Sequence, residues 1–169
     1  MKTISKAPFR KLFLSLGGVG FSPILPGTCG TLLSVILFFW CFPFLPTSPV
    51  LRAGILIPIF GILFALSIPL IKKEKKNGRV DHHFIVIDEL LGMLVTLFPI
   101  AIFRTPFFWE YTLAFVCFRF FDMCKPLGIR NIDRQNTPVS VLLDDVLAGI
   151  YAGICSQGII LLVAILSQT

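Results

Sequence analysis

The sequence is short of charge, has almost no histidine and lacks any paired-cysteine motif. Lys and Arg together number 15, Asp and Glu nine, and His two, in 169 residues. Soluble domains carry about 25% charged residues; here the charged share is 14% and the hydrophobic share 56%. That shortage, with a mean hydropathy of +0.89, excludes an ordinary water-facing surface. The five cysteines (Cys29, Cys41, Cys117, Cys124 and Cys155) are odd in number and widely spaced, with no CxxC. A disulfide framework and a zinc site are therefore both unsupported, and cysteines in apolar segments act as small hydrophobes. The basic clusters lack interleaved aromatics and any nucleic-acid-binding signature, which argues against nucleic acid as a partner. A net charge of +6, gathered in loops, points instead to anionic membrane lipids. The basic N-terminus precedes an apolar run, but Gly17, Gly18 and Gly20 interrupt it and Pro23 and Pro26 end it. It is expected to be retained rather than cleaved as a signal peptide.

What the chain does contain is uncharged length. Val146 to Leu166 is a run of 21 residues without charge, enough to span a bilayer as a helix. Similar runs predict an all-α polytopic membrane protein, a single domain over 1–169. About five transmembrane helices are expected, near 31–45, 53–71, 84–103, 109–124 and 141–166. Pro58 and Pro69 are expected to kink the second. Residues 1–30 are basic, then rich in Gly and Pro, and read as an interfacial or re-entrant segment. Irregular backbone at membrane depth survives only in a protein interior or a wet cavity. That makes this stretch either an interfacial loop or a site wall, with Ser22 and Thr28 facing a polar ligand.

With five spans, residues 1–30, 72–83 and 125–140 share one side, which holds 12 of the 15 Lys and Arg. The positive-inside rule makes that side cytoplasmic. Asp88 and Glu89 then enter the third span, Asp122 leaves the fourth and Asp144 and Asp145 start the fifth, all at that face. Arg119 lies three residues before Asp122 and so shares its helix face, with Lys125 close behind. In both acidic pairs a glycine follows about one turn later, Gly92 and Gly149, and Gly153 extends the second. Small residues there let helices approach closely.

Carboxylates without consistent His or Cys partners suit a hard cation, with Mg²⁺ the usual choice. Asp88, Glu89, Asp144 and Asp145 are the expected ligands. Arg119 and Lys125 beside them can clamp phosphate oxygens. The combination predicts phosphoryl transfer at the membrane surface, on a lipid carrying a phosphate head group. Plainer roles exist for single residues. Asp88 or Asp145 alone could complement a helix N-terminus. Asp133 is expected to pair with Arg130 or Arg134, His82 and His83 to lie in a solvated loop, and Glu74 and Glu110 to lie at the surface.

Four stretches carry a resemblance: Gly20-Phe21-Ser22-Pro23-Ile24-Leu25-Pro26-Gly27-Thr28-Cys29-Gly30, Ile87-Asp88-Glu89-Leu90-Leu91-Gly92-Met93, Phe118-Arg119-Phe120-Phe121-Asp122-Met123-Cys124-Lys125-Pro126 with Ile129-Arg130, and Asp144-Asp145-Val146-Leu147-Ala148-Gly149. In this order the chain resembles the phosphatidylglycerophosphatase A family of bacterial membrane lipid phosphatases. Cys29 departs from the larger apolar residue expected there. The resemblance implies Mg²⁺-dependent conversion of phosphatidylglycerophosphate to phosphatidylglycerol at the cytoplasmic face of the bacterial inner membrane. It implies catalytic roles for Asp88, Glu89, Asp122, Asp144 and Asp145, and substrate binding by Arg119, Lys125, Arg130, Ser22 and Thr28. Water attack and an aspartyl-phosphate are both open routes. The rival class is a small ion- or proton-coupled transporter, since intramembrane acids also mark ion paths. A transporter predicts acids spread through the membrane depth, whereas these bunch at one face.

Overall fold

The computed structural model describes residues 6–76, 79–80, 84–126 and 128–167. His82 and His83 lie outside the described residues. Among the described residues seven α-helices follow in order: α1 (Lys6–Leu14), α2 (Pro26–Cys41), α3 (Pro49–Lys72), α4 (Ile87–Phe103), α5 (Phe108–Cys124), α6 (Ile129–Asp133) and α7 (Ser140–Leu166). Short 3-10 turns occupy Val19–Phe21 and Phe42–Phe44, and Lys75–Lys76 pairs antiparallel with Arg79–Val80.

The helices α4 and α7 form the central pair. Helix α5 lies against α7, and α2 and α3 flank α4. Phe118, Leu97, Ile100, Ala101, Ala114, Ala148 and Ala152 fill the core between them. A second cluster, including Leu14, Ile71, Ile85, Ile87, Leu91 and Leu142, closes the end where α4 and α7 begin. The surface is apolar as well as the interior: Trp40 is 69% exposed, Ile57 57%, Ile154 68% and Leu161 62%. Conversely, Thr31, Ser34, Ser67, Thr96 and Ser156 are buried. Each of these hydroxyls donates to a carbonyl about one turn earlier, as Ser34 does to Gly30 at 2.8 Å and Ser67 to Leu63 at 2.7 Å, so none of the five is stranded in apolar surroundings. An apolar surface over an apolar core belongs in lipid, where exposed apolar side chains cost nothing.

Length and apolarity qualify three segments to cross a membrane: Pro26–Phe44, Pro49–Lys72 and Ser140–Leu166. Helices α4 and α5 have 17 residues each, about 25 Å at 1.5 Å per residue, short of the roughly 30 Å hydrocarbon core. The Gly/Pro stretch also ends sooner than its composition predicts. Leu25 adopts a left-handed conformation, Pro26 stands in the first turn, and α2 runs on from there through Gly27 and Gly30. Proline fits a first turn because its fixed φ is helical and its missing N–H would have had no partner there. Helix α3 continues through both Pro58 and Pro69.

Two acids expected at the surface are buried. Glu74 pairs with Arg10 of α1, and Glu110 with Arg104 at 2.7 Å. Glu110 also accepts the Phe107 backbone N–H at 2.9 Å, capping α5. Burial follows because each carboxylate finds a cation from another part of the chain.

Candidate active site

Two local devices deliver the acidic pairs. The segment entering α4 is held by α1 and the turn after it. Val86 N–H donates to Leu14 O at 2.9 Å, and the Phe21 and Phe84 rings stack with centroids 5.3 Å apart. A Cβ on Gly20 would strike the Phe84 carbonyl, so only glycine permits this approach. Asp88 and Glu89 then fall in the first turn of α4, where the helix dipole favours acids. On the other side, Thr137 and Ser140 bond reciprocally, backbone N–H to side-chain oxygen, at 2.8 and 2.9 Å. This capping-box-like exchange starts α7 and sets Asp144 and Asp145 just beyond its first turn.

The two helices meet where the glycine pattern predicts. A Cβ on Gly149 would collide with the Gly92 carbonyl, and one on Gly92 with the Phe118 ring and the Asp145 carbonyl. Thr96 Oγ1 seals the crossing, donating to Gly92 O at 2.9 Å and lying 3.3 Å from Gly149 O. Backbone contact at the glycines brings the acids one turn away into reach of each other.

Carboxylate oxygens of Asp88, Glu89 and Asp145 lie within 4.8 Å of one another. If all were ionised, each pair would repel by roughly 3–4 kcal/mol at an effective dielectric of about 20. Asp122 of α5 faces Asp145 and holds Arg119, whose Nη1 donates to Asp122 Oδ2 at 2.7 Å and to Thr31 Oγ1 at 3.3 Å. Lys125 ends α5 in a left-handed conformation. Its Nζ donates to Asp144 Oδ2 and Asp133 Oδ1, both at 2.7 Å. Burial works against the Lys125 charge, but its two carboxylate partners outweigh it and hold its pKa above the usual lysine range.

Three buried polar atoms in this cluster have no partner among the described residues: Glu89 Oε2, Asp144 Oδ1 and Arg119 Nε. Buried groups left this way cost free energy and call for a ligand. Two are carboxylate acceptors beside a crowded group of acids, and one is a guanidinium donor. A hard divalent cation satisfies the first kind and a phosphate oxygen the second. The donor set is all oxygen, so the residues present fit Mg²⁺.

The sequence-predicted residues thus divide. Asp88, Glu89, Asp122, Asp145 and Arg119 come together, with Lys125 and Asp144 joined to each other at the edge. Arg130 stands exposed on α6, which Ile129 anchors by burial. Ser22 is engaged in a local turn, its Oγ donating to Ile24 O at 3.0 Å. Thr28 is half-buried in the first turn of α2. Asp133 contacts Lys125, because the turn at Lys125 folds α6 back toward α7. Two α2 residues were not singled out as site residues. Thr31 touches Arg119, and a Cβ on Gly27 would collide with Glu89 Oε1. Their spacing was the available signal: Gly27 and Thr31 are one helical turn apart, and the Thr31 hydroxyl donates to the Gly27 carbonyl at 2.9 Å.

A model of the phosphatidylglycerophosphatase A family matches residues 12–160, a range that contains every residue of the cluster. The chain belongs to the phosphatidylglycerophosphatase A family. It is therefore a phosphoric monoester hydrolase, and the transporter alternative is not favoured. Among similar proteins, a phosphatidylglycerophosphatase A of Escherichia coli is 38% identical over 150 residues, covering 86% of this chain and 79% of that one. The Haemophilus influenzae phosphatidylglycerophosphatase A is 35% identical over 160 residues, covering 86% of this chain and 90% of the relative. A Bacteroides thetaiotaomicron protein named putative phosphatidylinositol-3-phosphatase is 36% identical over 153 residues, covering 88% and 92%. No solved structure matches the chain.

Proposed function

We propose that this chain removes the terminal phosphate of phosphatidylglycerophosphate, yielding phosphatidylglycerol, at the cytoplasmic face of the bacterial inner membrane. The observation that carries the reading is the meeting of Asp88, Glu89 and Asp145 within 4.8 Å, beside an arginine whose Nε has no partner among the described residues. Asp88, Glu89 and Asp145 would hold Mg²⁺, with Asp144 contributing through its free Oδ1. Bound there, Mg²⁺ would neutralise the acids and polarise phosphate oxygens.

The chain's own residues do the rest. Arg119 offers Nε to a phosphate oxygen while Asp122 and Thr31 fix its orientation from the Nη1 side. Lys125 supplies a second positive charge and holds Asp144 in place. Asp122, next to Asp145, is also positioned to take a proton from an attacking water. Arg130, exposed on α6 near the turn at Lys125, would meet the head group from the aqueous side. Ser22 and Thr28, in the turn before α2 and in its first turn, would be further contacts to the head group.

Orientation rests on the basic loops, which share the side where α4 and α7 begin. A five-span topology requires the 17-residue α4 and α5 to cross as well, which local thinning of the bilayer accommodates. Helix α1 would then lie at the interface.

The test is phosphate release by purified protein in detergent from phosphatidylglycerophosphate and, separately, from phosphatidylinositol 3-phosphate. Each lipid is assayed with Mg²⁺ and with chelator. Release from the first lipid, dependent on Mg²⁺, is the expected result. Release confined to the phosphoinositide would overturn the assigned substrate, and chelator-resistant release the assigned metal. Acid quench with labelled substrate tests the covalent route, which predicts labelled phosphate on the protein.

A further inference from the structure

Above Arg119 an apolar groove of about 370 Å³ opens between α2 and α5. Leu32, Ile36, Phe39 and Trp40 of α2 line it, facing Phe108 and Phe115 of α5. We propose that this groove holds an acyl chain of the lipid whose phosphate is being hydrolysed. The inference rests on the phosphatase reading given above and extends it to the hydrophobic half of the substrate.

The argument is continuity. Leu32 directly follows Thr31, which receives a hydrogen bond from Arg119 at 3.3 Å. Phe115 lies four residues before Arg119, so it shares that helix face, one turn deeper in the membrane. The groove's near end therefore begins where the phosphate-facing arginine stands. From Leu32 to Trp40 it runs eight residues along α2, about 12 Å, toward the opposite membrane face. A lipid with its phosphate at Arg119 has its glycerol at the mouth of this groove and its chains pointing along it. Two other apolar cavities lack that connection. One lies between α3 and α4 and one between α4 and α7, and they share Val95 and Phe98. Val95 is six residues past Glu89 on α4, and no residue lining either cavity belongs to the acidic cluster or neighbours Arg119.

In a bilayer, any such groove is covered by lipid. What distinguishes this one is that its occupant would be covalently attached to the reacting head group. Chain binding there fixes the phosphate's position, so remote apolar contacts contribute to the reaction at the head group.

The experiment compares two substrates for each variant: dioleoyl phosphatidylglycerophosphate and its deacylated, water-soluble counterpart. Ile36→Trp fills the groove; Ile36→Ala enlarges it; Ile154→Trp, in the cavity between α4 and α7, is the control. The expected result is a fall of about tenfold in the ratio of kcat/KM for diacyl over deacylated substrate in Ile36→Trp. A smaller fall is expected in Ile36→Ala, and none in Ile154→Trp. A ratio that stays within twofold of the unmodified protein's in both Ile36 variants would overturn the inference. So would equal losses on both substrates accompanied by a changed oligomeric state, which would assign the groove to a second copy of the chain. Photolabelling with a diazirine-tailed phosphatidylglycerophosphate gives a readout independent of turnover. Labelling of α2 without phosphate release would sink the activity and keep the groove. Release without labelling of α2 or α5 would do the opposite.

Discussion

Buried charge gathers at both ends of the helix bundle, and the two ends treat it differently. At the end where α4 finishes and α5 starts, Arg52 donates to three backbone carbonyls, those of Pro46 at 2.6 Å, Ala101 at 2.8 Å and Arg104 at 3.0 Å. Its guanidinium also lies over the Phe42 ring, 4.9 Å from the centroid. Glu110 meets Arg104 and caps α5. These charges are spent on connecting α3, α4 and α5. At the opposite end, Asp88, Glu89 and Asp145 crowd one another, and Glu89 Oε2, Asp144 Oδ1 and Arg119 Nε have no partner among the described residues. The same residue types are structural when the chain answers them and chemical when it does not. Counting buried charges would not separate the two ends; asking what each polar atom touches does.

The contrast is sharpest at Asp145. Asp145→Asn is expected to lower phosphate release by about 10³-fold while leaving thermal unfolding in detergent close to that of the unmodified protein, since neutralising one acid relieves repulsion. A variant that unfolds early instead would place Asp145 with the structural charges. Gly27→Ala comes next. Its methyl group would displace Glu89, and a loss of about 10–100-fold is expected, recorded as a rise in the Mg²⁺ concentration needed for half-maximal rate. An unchanged Mg²⁺ requirement would remove α2 from the site. Thr31→Val should cost about threefold to tenfold, roughly 1 kcal/mol, because the bond it removes is long at 3.3 Å. The effect should appear in KM, because Arg119 keeps its Asp122 contact. At the other end, Glu110→Ala removes both an ion pair and a helix cap. It should lower stability by about 1–3 kcal/mol with the rate per folded molecule intact. Glu110→Gln, which keeps the cap, should cost about 1 kcal/mol or less, since Arg104 is 36% exposed and partly solvated. If either Glu110 variant changed turnover, the division between the ends would fail.

The acidic end could be read from sequence because charges inside uncharged runs are conspicuous, and their depth follows from counting residues along each span. Asp88, Asp122 and Asp145 came from three runs whose directions alternate, so their meeting was a matter of topology alone. The α2 contribution was hidden for the opposite reason. Gly27 and Thr31 carry no charge, and the Gly/Pro composition around them read as loop rather than as the first turns of a helix. Thr28 and Ser22 drew attention as the hydroxyls nearest the glycines, whereas contact with Arg119 depended on which face of α2 turned inward. The burial of Glu74 and Glu110 is hidden in the sequence because their partners, Arg10 and Arg104, lie in another segment or just across a turn. Asp133 found Lys125 through a left-handed turn that no local pattern announced.

The contact between Gly92 and Gly149 has an implication for how such an enzyme can diversify. Main chain rests on main chain there, so no exchange of side chains can widen or narrow the gap between the two acid-bearing helices without driving them apart. The jaw that grips the reacting group is of fixed gauge. Whatever adapts a protein of this architecture to one head group or another must be altered around that jaw, on the α2 and α5 walls and the α6 turn, where side chains still have room to be exchanged.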